Sequence, residues 1–287
     1  LHDALPILSI STTSYALNNK GNVSKEKKVN ILRIAKELGY SPNFAAKNLK
    51  KQKTELVGLF VHDINGPFYN ELIRGIQQVT ILNGYELIVF CDSGTKKNSS
   101  YNFLSERRVD GAIIISSTIK DDEIMTLTKN GLPIVVLDRE ITGEKLCNVL
   151  VDNEHGASNA VMHLIGQGYR DIAFLSGPQE AYDNRKRFEG YKKTLKDNGI
   201  KFNEKMVING SFTENSGYNA VTNYLEINKK PPEAIFSSND EMAIGAIFAL
   251  RDKGYNVPKD VAVVGFDNLV LSSYITPALT KIGRAHV

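Results

Sequence analysis

The apolar positions along this chain change rhythm once, near Thr54. Before that point the pattern is helical. Ser9 to Leu17 reads Ser-Ile-Ser-Thr-Thr-Ser-Tyr-Ala-Leu, which predicts a short polar helix, and Asn18, Asn19 and Gly21 then mark a turn. Ser24 is placed as the N-cap of a second helix. Val29, Ile31, Leu32, Ala35 and Leu38 recur in it at helical spacing, and Gly39 ends it. Ser41-Pro42 interrupts the chain, and Asn43 to Lys50 is predicted as a third, short helix.

After Thr54 short strands rich in Val, Ile and Leu alternate with helical stretches. The strands are Leu56–His62, Glu86–Cys91, Gly111–Ser116, Pro133–Asp138 and Asn148–Asp152, with helices around Tyr69–Asn83, Ser99–Arg107 and Asp122–Asn130. The rhythm then repeats. Helices at Glu154–Gln167, Asn184–Asn198, Ser216–Leu225 and Glu241–Lys253 separate strands at Ile172–Gly177, Val207–Ser211, Ala234–Ser238 and Val261–Asp267. Nearly continuous apolar strands between helices imply parallel sheets covered on both faces. The expected class is α/β: two doubly wound parallel-sheet lobes with a cleft between them, preceded by a small all-α head. The divisions are 1–53 for the head, 54–153 and 154–280 for the lobes, and 281–287 for a tail.

Charge sharpens the division. Residues 1–53 hold ten Lys and Arg against three acids, so the head carries +7 and the rest of the chain −4 of the total of +3. A basic head on a mildly acidic body points to a polyanionic partner, although a solvated helical face has the same composition. No apolar run approaches the roughly 18 residues that would cross a bilayer. Leu1–Ile10 is too short and lacks the basic start of an export signal, so a soluble, cytosolic protein is expected. Cys91 and Cys147 adjoin strand-like runs without CxxC or Cys/His spacing, which predicts buried free thiols.

Both ends look foreign. Ala4-Leu5-Pro6-Ile7 can be encoded by GCTCTTCCGATC, and Ile282-Gly283-Arg284-Ala285-His286-Val287 by ATCGGAAGAGCACACGTC. The first is the reverse complement of the start of the second preceded by one G, as if a sequencing adapter had been translated at both ends. Resequencing the source locus tests this, and an unchanged reading frame refutes it.

In doubly wound sheets ligands bind beyond the carboxyl ends of strands. The residues there are Asp63, Asn65 and Phe68, Asp92 and Ser93, Asp138 and Arg139, then Arg185, Arg187, Phe212, Asn239, Asp240, Asp267 and Asn268. Carboxylates, amides and guanidinium groups pair with vicinal hydroxyls, and an aromatic ring such as Phe68 or Phe212 stacks on the apolar face of a sugar. The same polar residues also suit helix capping, Asp240 and Asp267 above all. No nucleophile elbow, phosphate loop, dinucleotide fingerprint or His-Glu-x-x-His motif is present. Binding is therefore expected rather than turnover, with no cofactor and no metal.

Several strings together resemble the LacI/GalR family of transcription regulators. They are Asn18-Asn19-Lys20-Gly21-Asn22-Val23-Ser24, Ala35 through Asn43, and Arg107-Arg108-Val109-Asp110-Gly111. Further along come Arg187-Phe188-Glu189-Gly190-Tyr191, Asn239 through Ala246, Val264-Gly265-Phe266-Asp267-Asn268 and Thr276 through Thr280. The resemblance spans about Leu8 to Lys281 and implies a periplasmic-binding-protein-like effector core behind a helix-turn-helix head. It makes Ser9–Asn18 the recognition helix. Ile10, Ser11 and Tyr15 fall at base-reading positions, Thr12 and Ser14 suit phosphate contact or helix packing, and Ser9 and Asn18 flank them on the same helix. It makes Asn43–Lys50 a hinge helix, in which Leu49 wedges into a minor-groove step beside Ala46 and Lys50; packing on the core is the other role open to Leu49. A paired wedge implies a homodimer on near-palindromic double-stranded operator DNA.

In the core the resemblance makes Arg187 the ligand clamp and Asp267 the ligand carboxylate, with Asp138, Arg139, Phe212 and Asn239 beside them. Family ligands include sugars, sugar phosphates, nucleosides and purine bases. The carboxylate and amide positions here favour a monosaccharide, with ribose-like pentoses first. Two departures stand out. The first helix of the helix-turn-helix is replaced by Leu1–Ile7, and the core stops after Thr280, where the family continues through a strand and helix that return to the first lobe. Two rivals fit less well. A periplasmic-type sugar-binding protein shares the lobes but predicts an export signal and no basic head. An α/β transferase needs a nucleophile or phosphate loop.

Overall fold

The computed structural model describes residues 9–17, 21–40, 53–92 and 98–284. It divides into two compact units, residues 1–54 and 55–287. In the first unit α1 (Ile10–Leu17) packs on α2 (Lys25–Glu37). Ala16 and Ile31 are buried between them, whereas Val29, Leu32 and Leu38 are exposed. Ser24 stands at the N-cap of α2 without a side-chain bond to its first turn. Gly39 ends the helix at φ +62, a left-handed turn in which Tyr40 N–H returns to the Ala35 carbonyl at 2.8 Å. The third helix expected at Asn43–Lys50 lies outside the described residues.

The second unit contains two all-parallel five-stranded sheets. The strands of the first are β1 (Leu56–Val61), β2 (Glu86–Cys91), β3 (Gly111–Ile114), β4 (Ile134–Leu137) and β5 (Leu146–Val149), in the order β2-β1-β3-β4-β5. The helices α3 (Pro67–Leu82), α4 (Ser99–Ser105) and α5 (Asp121–Lys129) connect them. The second sheet contains β6 (Ile172–Ser176), β7 (Val207–Asn209), β8 (Ala234–Ser237), β9 (Ala262–Asp267) and β10 (Thr280–Gly283), in the order β10-β9-β8-β6-β7. Its helices are α6 (Asn153–Gly166), α7 (Tyr182–Asp197), α8 (Glu214–Asn228) and α9 (Asp240–Asp252). Counted within its own lobe, each sheet has the order 2-1-3-4-5. The fourth strand of one lobe therefore corresponds to the fourth strand of the other, and the loops after β4 and β9 occupy equivalent places.

The alternating pattern forms this architecture because the apolar strands are buried on both faces. Phe60, Ile114, Ile134 and Val136 are buried in the first lobe beside Leu104, Ile124 and Leu127. The second lobe has a core on each side of its sheet, one around Leu175, Ile235 and Val263, the other around Phe174, Phe236 and Phe266.

Three expectations change. The fifth strand starts at Leu146 instead of Asn148, because Leu146 pairs with Ile134 and packs on the first-lobe core, while Asn148 Nδ2 turns back to the Ile141 carbonyl at 2.8 Å. Cys91 and Cys147 are free but exposed, not buried. Both lie on edge strands, β2 and β5, which have a neighbour on one side only. Thr280–Gly283 forms β10, paired in parallel register with Val264–Asp267, and Ile282 packs against the core around Phe266.

The α8–α9 crossing of the second lobe is tight. A Cβ added at Gly245 of α9 would come 2.0 Å from the Glu214 carbonyl oxygen, and one at Gly217 of α8 would come 2.3 Å from the Met242 carbonyl oxygen. Both contacts are with backbone, which cannot swing aside. Gly245→Ala is therefore expected to lower stability by about 2 kcal/mol, since overpacking outweighs the better helix propensity of alanine. Gly75→Ala in the middle of α3, where nothing lies within 4 Å, is expected to raise it by about 0.5–1 kcal/mol. Urea unfolding of both variants checks the pair; equal effects would show that the crossing is not tight.

Candidate functional site

The polar cluster of the second unit is built on two equivalent strand ends and one helix. Asp138 follows β4 at φ +50 and Asp267 ends β9 at φ +121. Arg187 lies one turn inside α7 and is fully buried. The start of that helix is fixed by Asn184, whose Oδ1 accepts from Gly177 N–H and from Ser238 Oγ, both at 2.8 Å. Its Nδ2 donates to Ser176 Oγ at 3.0 Å and to the Gly177 and Pro178 carbonyls at 3.1 Å. An amide with this many partners locks α7 to the ends of β6 and β8, and so sets where Arg187 can reach.

Arg187 is held on three sides. Its Nε donates to Asn153 Oδ1 at 2.9 Å, its Nη1 donates to the Ser238 carbonyl, and its guanidinium lies 3.9 Å from the centroid of the Phe266 ring. The remaining nitrogen, Nη2, is buried and makes no hydrogen bond among the described residues. It lies 3.4 Å from Asp267 Oδ1 and 3.5 Å from Asp183 Oδ2. Burial pulls the pKa of this arginine down, and Asp267 and Asp183 oppose that pull. A guanidinium stays protonated in such a setting.

Arg284 enters the same place from the end of β10. Its Nε donates to Asp267 Oδ1 at 2.9 Å, its Nη1 lies 3.6 Å from Asp138 Oδ2, and its guanidinium stacks 4.5 Å from the Phe68 centroid. Burial would lower its pKa, but Asp267 and Asp138 outweigh it and the pKa rises. Asp138 moves up chiefly through burial, with Arg284 opposing. Tyr69 beside Phe68 is also pushed up, by burial first and then by Asp63 and Asp183. A planar group that bridges the lobes, stacked on an aromatic ring and bonded to a carboxylate, thus occupies the cleft.

The structure brings Phe68, Asp138, Arg187 and Asp267 together. The other expected residues are placed differently. Asn65 is exposed and bonds Asp63 Oδ1 through its Nδ2 at 2.8 Å. Asp92 accepts from Ser99, Ser100 and Thr118 within its own lobe. Arg139 donates to the Ile119 and Ser116 carbonyls and to Asp121. Arg185 is exposed and donates to the Glu180 carbonyl. Phe212 packs over Gly177, where a Cβ would come 2.3 Å from its ring. Asn239 caps α9 by accepting from Met242 N–H at 3.0 Å and donates to the Phe212 carbonyl at 2.8 Å. Asn239, not Asp240, is thus the cap.

Asp183, Asn153 and Glu241 were not singled out from the sequence. A signal existed for Asp183, an Asp four residues before Arg187 on one helix face. None existed for Asn153, which is 34 positions from its partner. Burial first, then Asp267 and Glu214, raise Glu241 to a pKa of about 7.

In the head unit, Ser9 Oγ accepts from Thr12 N–H at 3.1 Å and so caps α1. Ser11, Ser14 and Tyr15 are exposed along it. Asn18, Asn43, Ala46, Leu49, Lys50 and the side chain of Ile10 lie outside the described residues. No group of metal-ligating side chains occurs among the described residues, and none of their helices is long and apolar enough to cross a membrane.

Residues 54–282 match the model of the periplasmic binding proteins and sugar-binding domain of the LacI family, and residues 8–43 match that of bacterial regulatory proteins of the lacI family. The chain belongs to the LacI family. Among its relatives, catabolite control protein A of Priestia megaterium is 34% identical over 279 residues, covering 96% of this chain and 83% of the relative. The probable HTH-type transcriptional repressor ExuR of Bacillus subtilis (strain 168) is 36% identical over 282 residues, with 96% and 83% covered. The solved complex of the transcriptional regulator CelR with cellobiose is 29% identical with a TM-score of 0.72, covering 94% of this chain and 82% of that one. A LacI-family regulator from Enterococcus faecium, solved with bound ribose, is 29% identical with a TM-score of 0.71, covering 79% and 83%. This LacI-family chain is a DNA-binding transcriptional regulator with a sugar-binding domain, and not an enzyme.

Proposed function

We propose that this LacI-family regulator is a cytoplasmic repressor that binds a sugar between its lobes at Phe68, Asp138, Arg187 and Asp267. One observation carries the effector site: a fully buried arginine at the end of the second-lobe sheet keeps one nitrogen, Nη2, without a hydrogen bond among the described residues, beside the carboxylates of Asp183 and Asp267. A folded protein seldom leaves such a donor unbonded without a use for it. Vicinal hydroxyls supply the acceptors for Nη2 and the donors for Asp138 and Asp267, and Phe68 supplies the stacking face. A pentose such as ribose is the ligand size favoured.

DNA is read by Ile10, Ser11 and Tyr15 of α1, with Ser14 at a phosphate or packing position and Ser9 and Thr12 fixing the helix start. Asn18, Asn43, Ala46, Leu49 and Lys50 complete the contact in a twofold dimer. Closure of the lobes on the sugar changes the spacing of the two hinge segments, and operator affinity falls. Residues 1–53 are the head, and the lobes are 54–153 and the residues from 154 on, with β10 closing the edge of the second sheet. A mobility-shift assay of the gene product read from the resequenced locus, on duplexes from its own promoter, tests this reading. A shift that D-ribose or another monosaccharide relieves is expected. No shift of any promoter duplex, with or without sugars, removes the repressor.

A further inference from the structure

The cleft is unevenly charged, and the imbalance bears on what can enter it. Four carboxylates face it: Asp138, Asp183, Asp267 and Glu241. Asp138 comes from the first lobe and the other three from the second; Asp138, Asp183 and Asp267 all act on Arg187, while Glu241 feels Asp267. Glu241 reaches across to the first lobe, where a Cβ on Gly66 would come 3.2 Å from its Oε1. Among the described residues two cations answer them, Arg187 and Arg284. Arg139 and Arg185 are committed elsewhere, to the carbonyls named above. Arg284 belongs to the segment whose sequence looks foreign, so the balance is drawn with and without it. It is negative in both cases.

Resting on the sugar-binding reading above, we propose that this cleft selects its effector by charge, accepting neutral sugars and cationic amino sugars and rejecting sugar phosphates and sugar acids. The Nη2 of Arg187 is buried without a hydrogen bond among the described residues, and two carboxylates within 3.5 Å already share its charge. An anionic ligand would gain one shared guanidinium and face several carboxylates. In a water-poor cleft the repulsion outweighs the gain. A cation meets the reverse balance, and Arg284 shows the fit: a guanidinium stacks on Phe68 and hydrogen-bonds Asp267. Hydroxyl groups carry no net charge and use the same carboxylates as acceptors.

Thermal-shift titration of the full chain with matched sets tests this. The sets are D-glucose, D-glucosamine and glucose 6-phosphate; D-galactose, D-galactosamine and D-galacturonate; and D-ribose with ribose 5-phosphate. In every set that binds, the neutral or amino member should bind at least about tenfold more tightly than the anionic one. In Arg284→Ala, which removes a cation, that ratio should widen. A phosphate or sugar acid that binds more tightly than its neutral parent overturns the charge selection and leaves the sugar site standing. An unchanged or narrower ratio in Arg284→Ala does the same. Silence across all three sets overturns the sugar site itself, and the selection with it.

Discussion

Replacing Arg187 with alanine is expected to weaken binding of the releasing sugar by roughly 30- to 5000-fold while operator affinity stays within about twofold of wild type. The range follows from the ~2–5 kcal/mol that truncating one member of a buried hydrogen-bonded charge pair costs. Here the substitution removes the unbonded Nη2 donor, takes from Asp183 its guanidinium and leaves Asp267 with Arg284 alone. It also leaves Asn153 Oδ1 and the Ser238 carbonyl without donors inside the second lobe. The variant should therefore melt earlier than wild type as well. Arg187→Lys separates the two effects, because it keeps the charge and loses the fork that reaches Asn153 and Ser238 together. If the lysine variant folds and still loses the sugar, the forked geometry is what binds. The decisive measurement is operator release against sugar concentration. An alanine variant that folds and is released at the wild-type concentration removes Arg187 from the site.

Why Arg187 and Asp267 were legible in the sequence and Asn153 and Glu241 were not is a matter of range. The strands and helices announced themselves through local periodicity, and β1, β2, β4, β6, β8 and β9 fall within a residue or two of where alternation placed them. Strand-end positions could also be read, because parallel sheets put one end of every strand on the ligand side. Which strand-end residues turn inward could not. Arg139 and Asn239 occupy such positions, yet one bonds the carbonyls of its own lobe and the other caps α9. Those partners are backbone groups left open by loops and helix starts, and a sequence does not show which will be open. Asn153 and Glu241 reach the site through distances that only the fold closes. The edge placement of Cys91 and Cys147 failed for a related reason. An apolar run looks the same in a central strand and in an edge strand, and only strand order decides exposure.

Asp240 is expected to make the folded core less stable as pH rises, and Asp240→Asn to remove most of that loss. The side chain is fully buried at the start of α9. Its Oδ2 accepts from Leu269 N–H at 2.8 Å, which holds the loop that follows Asp267. Its Oδ1 makes no hydrogen bond and is pressed against Gly265, where a Cβ would come 2.3 Å away. Burial raises its pKa to about 7; the backbone bond to Leu269 opposes the rise, Asp267 adds to it and Lys281 reduces it. In the unfolded chain the group titrates near the ordinary aspartate value, about 4. Between those two values the folded state holds a proton that the unfolded state has lost, so stability falls with rising pH throughout that window. Below it both states are protonated and above it neither is, so the slope vanishes at both ends. Three units at 1.36 kcal/mol each amount to about 4 kcal/mol, reached by about pH 8. Urea unfolding at pH 5 and pH 8 reads it as a difference: Glu241, also raised to about 7, makes both proteins lose stability over this range, and wild type should lose more than Asp240→Asn by much of the Asp240 contribution. Parallel losses in the two proteins would mean that Asp240 stays ionised in the fold, and that a neutral acid does not hold the Asp267 loop.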